Sequence, residues 1–346
     1  MSDGIVADVL VDVVVVGGGA AGLAGATALS RFRRSVVVVD AGTPRNAPAQ
    51  GVHNLLGRDG TPPAELLAAG RRELAGYGGR VVDGAVTGVR RVGVPAPEDP
   101  AGAGAAAGFA VELADGRELR ARRLLVATGL VDELPDVAGL AARWGRDVLH
   151  CPYCHGWEVR DRAIAVLATN PVAVHVTQLW RQLSEDVTLV LHSGPEPDAA
   201  QREQLAARGV EVVAGPAVEV LVEADRLSGL RLADGRVLAC GAVATGTTLR
   251  SRADFLAGLG LHPVPWQVGE HVVGTRIEAG PTGATAAAGV FVAGNVTDPV
   301  AQVGAAAAAG LTAAAALNAD LVEEEVRRAV AARALSPAGP RATRTP

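Results

Sequence analysis

The most reactive grouping in this chain is Cys151-Pro152-Tyr153-Cys154-His155, two thiols three residues apart with an imidazole directly after the second. Its C-x-x-C-H spelling fits three chemistries. Attachment of a c-type haem matches the letters, but the chain shows no export signal and its only methionine is Met1. Structural zinc normally takes four Cys/His ligands, and only Cys240 remains, with no paired ligand beside it. The third chemistry is a redox-active pair that closes a small disulfide and exchanges it with a substrate. A helix beginning at this motif would lower the thiolate pKa. His155, with an ordinary pKa of about 6.5, could move the proton that exchange requires. A surface or capping histidine at a helix start is the bland alternative. Cys240, alone in an apolar segment, reads as a core residue.

A second grouping, Gly17-Gly18-Gly19-Ala20-Ala21-Gly22, carries G-x-G-x-x-G between an apolar run and a stretch of small and apolar residues. Each position has a mechanical task in dinucleotide binding. Gly17 permits a tight turn, Gly19 lets a pyrophosphate reach the backbone, Gly22 allows close helix packing, and Asp40 can bind ribose hydroxyls. The motif alone does not separate FAD from NAD.

These groups need a frame. The unbroken run Asp12 to Val16 reads as a strand buried on both faces of a parallel sheet. Ala20 to Phe32 suits a helix and Ser35 to Asp40 a second strand, which makes a βαβ unit. Residues 65 to 75 read as helical, and 80 to 126 as short strands interrupted by Val94 to Pro100 and an Ala/Gly stretch to Gly108. That interruption is expected to be a solvated hairpin loop. A second strand-helix-strand passage starts at Ala163 to Leu167, continues as helix to about Leu183 and returns to strand at Val187 to Leu191. Strands recur near 210 to 222 and 229 to 245, a last one at Val290 to Val292 leads into the Ala-rich stretch 301 to 318, and Ser336 to Pro346 is expected to be disordered. The fold class is α/β, with two Rossmann-like dinucleotide-binding domains in three layers.

Composition narrows the function. A chain of 346 residues with 49% hydrophobic content can fill one large or two medium cores. A net charge of -5, with basic residues thinly spread, leaves no footprint for a nucleic acid. All 32 basic residues are arginines, so a lysine Schiff base and a Walker-type lysine are excluded. The start of the chain has no basic segment of a signal peptide, and no run approaches the ~18 apolar residues of a membrane span. A soluble cytoplasmic protein without membrane contact is expected. In that reducing compartment a close cysteine pair is catalytic or metal-binding more often than structural.

The Gly17 loop, Ala127-Thr128-Gly129 after a strand, Cys151-Pro152-Tyr153-Cys154, and Gly294-Asn295 before a terminal helix follow one another in the order seen in bacterial-type thioredoxin reductases. The chain resembles that family over roughly residues 10 to 320. The resemblance implies an FAD domain formed by residues 1–130 and 250–325, an intervening pyridine-nucleotide-type domain at 131–249 that carries the cysteines, and an extension at 326–346. It also implies a homodimer and FAD as cofactor. The cofactor would be held by Gly17, Gly19, Ala20, Ala21, Gly22, Asp40, Ala41 and Arg45 from the first segment. Asn54, Val86, Ala127, Thr128, Gly129, Gly294, Asn295, Gln302 and Val303 complete the set. By the same resemblance Val52-His53-Asn54 lies near the flavin, Val86 near the adenine and Gly294-Asn295 near the ribityl chain. Cys154 would face the flavin and Cys151 the substrate. One departure is Asn295, where the family usually has Asp.

The second βαβ unit departs further. Its turn reads Ala168-Thr169-Asn170-Pro171-Val172-Ala173, with side chains in place of both early glycines, and their Cβ atoms obstruct the tight turn and the approach of a pyrophosphate. After the following strand the chain reads Leu191-His192-Ser193-Gly194-Pro195, with no arginine until Arg202, so the grip on a 2'-phosphate is missing. NADPH is therefore not expected. Electrons would run from a small dithiol through the Cys151–Cys154 disulfide to FAD and on to O2, giving H2O2. This is similar to the dithiol oxidases of natural-product pathways, which close the disulfides of holomycin and other dithiolopyrrolones, gliotoxin and romidepsin. Their likeness includes a histidine after the second cysteine, where thioredoxin reductases have Asp, and Cys-Pro-Tyr-Cys-His-Gly-Trp-Glu is closest to the holomycin branch. The rival expectation is a thioredoxin-type disulfide reductase using NADPH or another reductant.

Overall fold

The computed structural model describes residues 10–95 and 105–335. Its first strands, β1 (Leu10–Val16) and β2 (Val36–Asp40), are valine-rich and almost wholly buried, as β-branched side chains are when both faces of a sheet are covered. α1 (Ala20–Arg31) lies between them, and α2 (Pro63–Gly76) follows with a proline in its first turn, where the missing N–H costs nothing. β3 (Arg80–Asp83), β4 (Val86–Pro95), β5 (Ala105–Leu113) and β6 (Glu118–Val126) complete the run. The sheet order is β3-β2-β1-β6-β5-β4, parallel from β3 to β6 and antiparallel through β5 and β4. The hairpin is longer than expected. Val94 is buried, and Val94 and Pro95 pair with Ala106 and Ala105, so the solvated loop expected from Val94 to Gly108 is strand at both ends. The rest of that loop and the expected disorder from Ser336 onward lie outside the described residues.

β7 (Leu130–Glu133) leads out of the first sheet to β8 (Val148–Leu149) and the short helix α3 (Pro152–His155). Then come β9 (Ile164–Ala168), α4 (Ala173–Trp180), β10 (Val187–Leu191), α5 (Ala199–Ala207) and β11 (Glu211–Ala214). β12 (Ala217–Glu223), β13 (Arg226–Leu232) and β14 (Val237–Ala239) form an antiparallel meander, after which β15 (Ala242–Thr245) enters a second parallel sheet of order β11-β10-β9-β15-β8. β16 (Thr248–Ser251), β17 (Val264–Val268) and β18 (His271–Arg276) join β7 in a sheet of order β17-β18-β16-β7. Both chain crossings between the two parallel sheets therefore run side by side, because β7 leaves where β16 returns. β19 (Val290–Val292) then pairs with β6, and α6 (Val303–Leu335) closes the fold.

Each parallel sheet separates two apolar clusters, one on each face. Cys240 belongs to a cluster on the second sheet, where burial pushes its thiol up to about 12, so it stays protonated and inert. α6 is longer than the Ala-rich stretch suggests. An 18-residue stretch of it has a mean hydropathy of 1.4, and by length and composition it would suit a membrane span, against the expectation that no run does. Here that apolarity serves packing. A Cβ on Gly310 would overlap the Ala21 carbonyl of α1, so small residues let the two helices touch backbone to backbone. Farther along, Arg34, Arg122 and Arg123 are ion-paired with Asp320, Glu324 and Glu325. Arg122 is 2% exposed and is compensated by three carboxylates, Asp12, Glu324 and Glu325.

Candidate active site

A cavity of about 1020 Å³ runs from the Gly17 turn to the cysteine pair. Gly17 has φ +106°, and a Cβ there would strike the Ala127 carbonyl. A Cβ on Gly22 would overlap the Gly17 carbonyl, whereas the space before Gly19 is open. The first N–H groups of α1 have no intrahelical acceptor, and no side chain caps them. They form an anion cradle at the positive end of a twelve-residue helix. Asp40, Ala41, Val86, Thr128, Gly129, Gly294 and Val303 line the same cavity. Size, cradle and a ribose-binding acid together fit an FAD-sized dinucleotide.

The cysteines close the other end. Cys151 caps α3, and its Sγ accepts from the Cys154 N–H at 3.1 Å. The two sulfurs are joined as a disulfide with their Cα atoms 5.2 Å apart. Gly156 is tightly enclosed, since a Cβ would strike Leu183 and the Pro152 carbonyl. α3 has only four residues, so the helix expected to lower the thiolate pKa is a single turn. Cys151, Cys154, His150 and His155 all line the cavity. The position of the turn is set by β8, which pairs with β15 at the carboxyl edge of the second sheet, the edge where ligands of α/β folds bind.

Two imidazoles flank the disulfide. Burial holds the His155 pKa below its ordinary value, with the Glu158 carboxylate opposing and His53 adding to the shift. His150 is lowered by burial and then by the Arg45 charge, with Asp132 opposing. Its Nδ1 is buried and unpartnered among the described residues. Both rings are neutral at neutral pH and able to accept a proton. Nearby, Arg45 grips Asp132 through two hydrogen bonds of 2.6 and 2.7 Å, and Thr247 donates to the same carboxylate at 2.8 Å. Burial raises the Asp132 pKa, but Arg45 and Thr247 outweigh it and keep the carboxyl ionised.

Of the residues expected to hold the cofactor, all line this cavity except Gly22 and Asn54. Gly22 acts from behind, through its contact with Gly17. Asn54, at φ +59°, instead donates to the Tyr153 carbonyl at 2.8 Å and to Gln302 at 3.4 Å, tying the cysteine turn to the start of α6. Asp40 is ion-paired with Arg71 of α2. The side-chain amide of Asn295 donates to the carbonyls of Asp298, Pro299 and Ala301, a task the aspartate usual at this position cannot perform. Sequence reasoning missed Asp132 and His150. The only signal for His150 was its place beside Cys151.

The turn between β9 and α4 is closed on itself. Thr169 donates to the Gly246 carbonyl at 3.1 Å, and Asn170 Oδ1 accepts from the Val172 N–H at 3.0 Å. The Ala173 N–H is taken by the Asn170 carbonyl, and Ser193 and Gly194 both donate to Ala168. Arg202 is held by Glu196 at 2.7 Å, and His192 Nδ1 accepts from Ala217.

Comparison with known proteins agrees with this arrangement. Residues 11–310 match the pyridine nucleotide-disulphide oxidoreductase family. The crystal structure of HlmI is similar with a TM-score of 0.84 and 42% identity, covering 96% of this chain and all of that one. An oxidoreductase from Agrobacterium tumefaciens follows with a TM-score of 0.81 and 36% identity, covering 91% of this chain and 99% of that one. Among curated sequences, thioredoxin reductase sirT of Leptosphaeria maculans is 29% identical over 89% of this chain and 93% of its own length. Thioredoxin reductase tcpT of Claviceps purpurea is 33% identical, but the match spans only 52% of this chain and 55% of that protein. With a redox disulfide set in the wall of a dinucleotide cavity, the chain belongs to the pyridine nucleotide-disulphide oxidoreductase family, an FAD-binding family with the thioredoxin reductase-like fold.

Proposed function

We propose that this protein is an FAD-dependent dithiol oxidase that closes an intramolecular disulfide in a small natural-product dithiol, with O2 as acceptor and H2O2 as product. One observation carries the reading. The disulfide lines the same cavity as the open Gly17 cradle, while Thr169 and Asn170 occupy their own turn where a nicotinamide nucleotide would enter. Electrons must then come from a thiol substrate.

One substrate thiolate attacks Cys151 Sγ, forming a mixed disulfide and releasing Cys154 as a thiolate. The second substrate thiolate attacks the substrate sulfur of that mixed disulfide, so the product leaves as a closed disulfide and Cys151 is released as a thiolate. His155 accepts a proton from the substrate thiols. His150 is a second acceptor, favoured by its unpartnered Nδ1. The Gly17 to Ala21 turn, Asp40 and the Gly294 segment would hold FAD, which would supply the two-electron acceptor between the cysteine thiolates and O2. The homodimer implied by the family likeness is part of the proposal, and the mass in solution checks it.

The test is oxygen uptake by the FAD-loaded protein with a panel of reduced natural-product dithiols and with reduced thioredoxin. Uptake with small dithiols, matched by an equal yield of H2O2, supports the oxidase. The names of several relatives favour a second reading, a thioredoxin-type reductase. NADPH-driven reduction of a disulfide substrate with no oxygen uptake would establish that reading instead.

A further inference from the structure

His53 and His155 stand on a partition. Both line the cofactor cavity and also a second cavity of about 700 Å³, which Glu158 and Arg162 line as well. His53 bridges two carboxylates, with Nε2 3.3 Å from Glu158 and Nδ1 3.3 Å from Asp59. Along this row Glu158 is 38% exposed, His53 26% and Asp59, at the outer end, 72%. His155 makes no side-chain hydrogen bond among the described residues, and it shares the wall of the second cavity with Glu158 and His53. A side chain without a fixed partner, beside a row of linked titratable groups that ends at an exposed carboxylate, is the geometry of a proton outlet.

We infer that Glu158 and His53 carry the proton taken up by His155 out of the reaction centre to solvent at Asp59. The inference rests on the dithiol-oxidase reading and deepens it. Overall, R(SH)2 and O2 give the cyclic disulfide and H2O2, and protons balance. The two half-reactions are separated in time, however. The dithiol gives up two electrons and two protons first, and O2 takes up two of each later, so a proton has to leave the enclosed site and return. His155 cannot accept a second substrate proton until it has lost the first. The charged groups around His53 are Asp59 on its own loop, Glu158 and His155 from the cysteine turn, and Arg143, Arg146, Asp147, Arg162, Asp225 and Arg226 in the wall of the second cavity.

The experiment uses the FAD-loaded full chain with His53→Gln and, separately, the conservative Glu158→Gln. Loss of flavin absorbance is followed anaerobically after mixing with dithiothreitol, across neutral to alkaline pH, with and without imidazole. Each variant is expected to slow the reaction by about tenfold. Added imidazole should restore the rate with saturation while leaving the wild type unchanged. Variants as fast as wild type, or slowed variants that imidazole does not rescue, overturn the relay, because a brace between loop and turn is not replaced by a diffusing base. If NADPH and not dithiothreitol bleaches the wild type, the oxidase reading falls separately. The relay would then carry protons inward, and the same rescue is measured on NADPH-driven disulfide reduction, where its absence again overturns the inference.

Discussion

At the head of α1 the turn from Gly17 to Gly22 presents bare N–H groups to a large cavity, whereas at the head of α4 the turn from Ala168 to Ala173 hydrogen-bonds to itself. Both turns join a buried parallel strand to a helix at the carboxyl edge of a sheet, so topology does not distinguish them. The difference lies in Cβ atoms and in where the N–H groups point. In the first turn a side chain at Gly17 or Gly22 would collide with backbone, and the donors stay unpaired until an anion arrives. In the second, the Asn170 side chain takes a donor that a phosphate would need, and Thr169 bridges to Gly246. A βαβ unit is thus a scaffold, and of these two turns the first alone combines glycines with free donors.

The comparison can be broken from either side. The largest effect is expected from Gly22→Val, whose side chain would displace the Gly17 carbonyl. The purified variant should be colourless, and a full flavin spectrum would remove the assigned role of the turn. Cys154→Ser is expected to stay yellow yet lose dithiol turnover to background, as measured by oxygen uptake; full activity would refute the redox pair. His155→Ala should slow turnover by roughly 10²-fold, and comparison with His150→Gln shows which ring is the base.

Next comes pH. Burial depresses the His155 pKa and Glu158 opposes the shift. A neutral base is active above its pKa, so kcat/KM should fall on the acid side with a midpoint below the ordinary histidine value. Glu158→Gln, by removing the opposing carboxylate, should move that midpoint lower still; an upward move would contradict the assignment. The smallest effect is expected from Thr169→Gly combined with Asn170→Gly, which should leave dithiol turnover within about twofold, since nothing in the proposed cycle touches that turn.

Short-range pattern made much of this legible. The valine runs, the glycine turn and the C-x-x-C spacing each encode their role within a few residues, and β1, α1, β2, β9 and β10 lie close to where pattern puts them. The missing arginine after β10 was also readable. Contacts distant in sequence were not. Arg45 meets Asp132 across 87 positions and Asn54 meets Tyr153 across 99, and no local signal announces either pair. α5 and the β17–β18 hairpin were missed because their sequences are polar or broken by Gly and Pro. The end of α6 was misjudged because its charged half is held by arginines from β6 and from the segment after α1.

The most direct measurement is an anaerobic titration of the FAD-loaded protein, watching the flavin band while either a small dithiol or NADPH is added. The account predicts that the dithiol bleaches the band, completely by two equivalents because the disulfide and FAD each take two electrons, and that NADPH leaves it unchanged. Bleaching by stoichiometric NADPH would contradict it, because the turn from Ala168 to Ala173 would then have to admit a nucleotide.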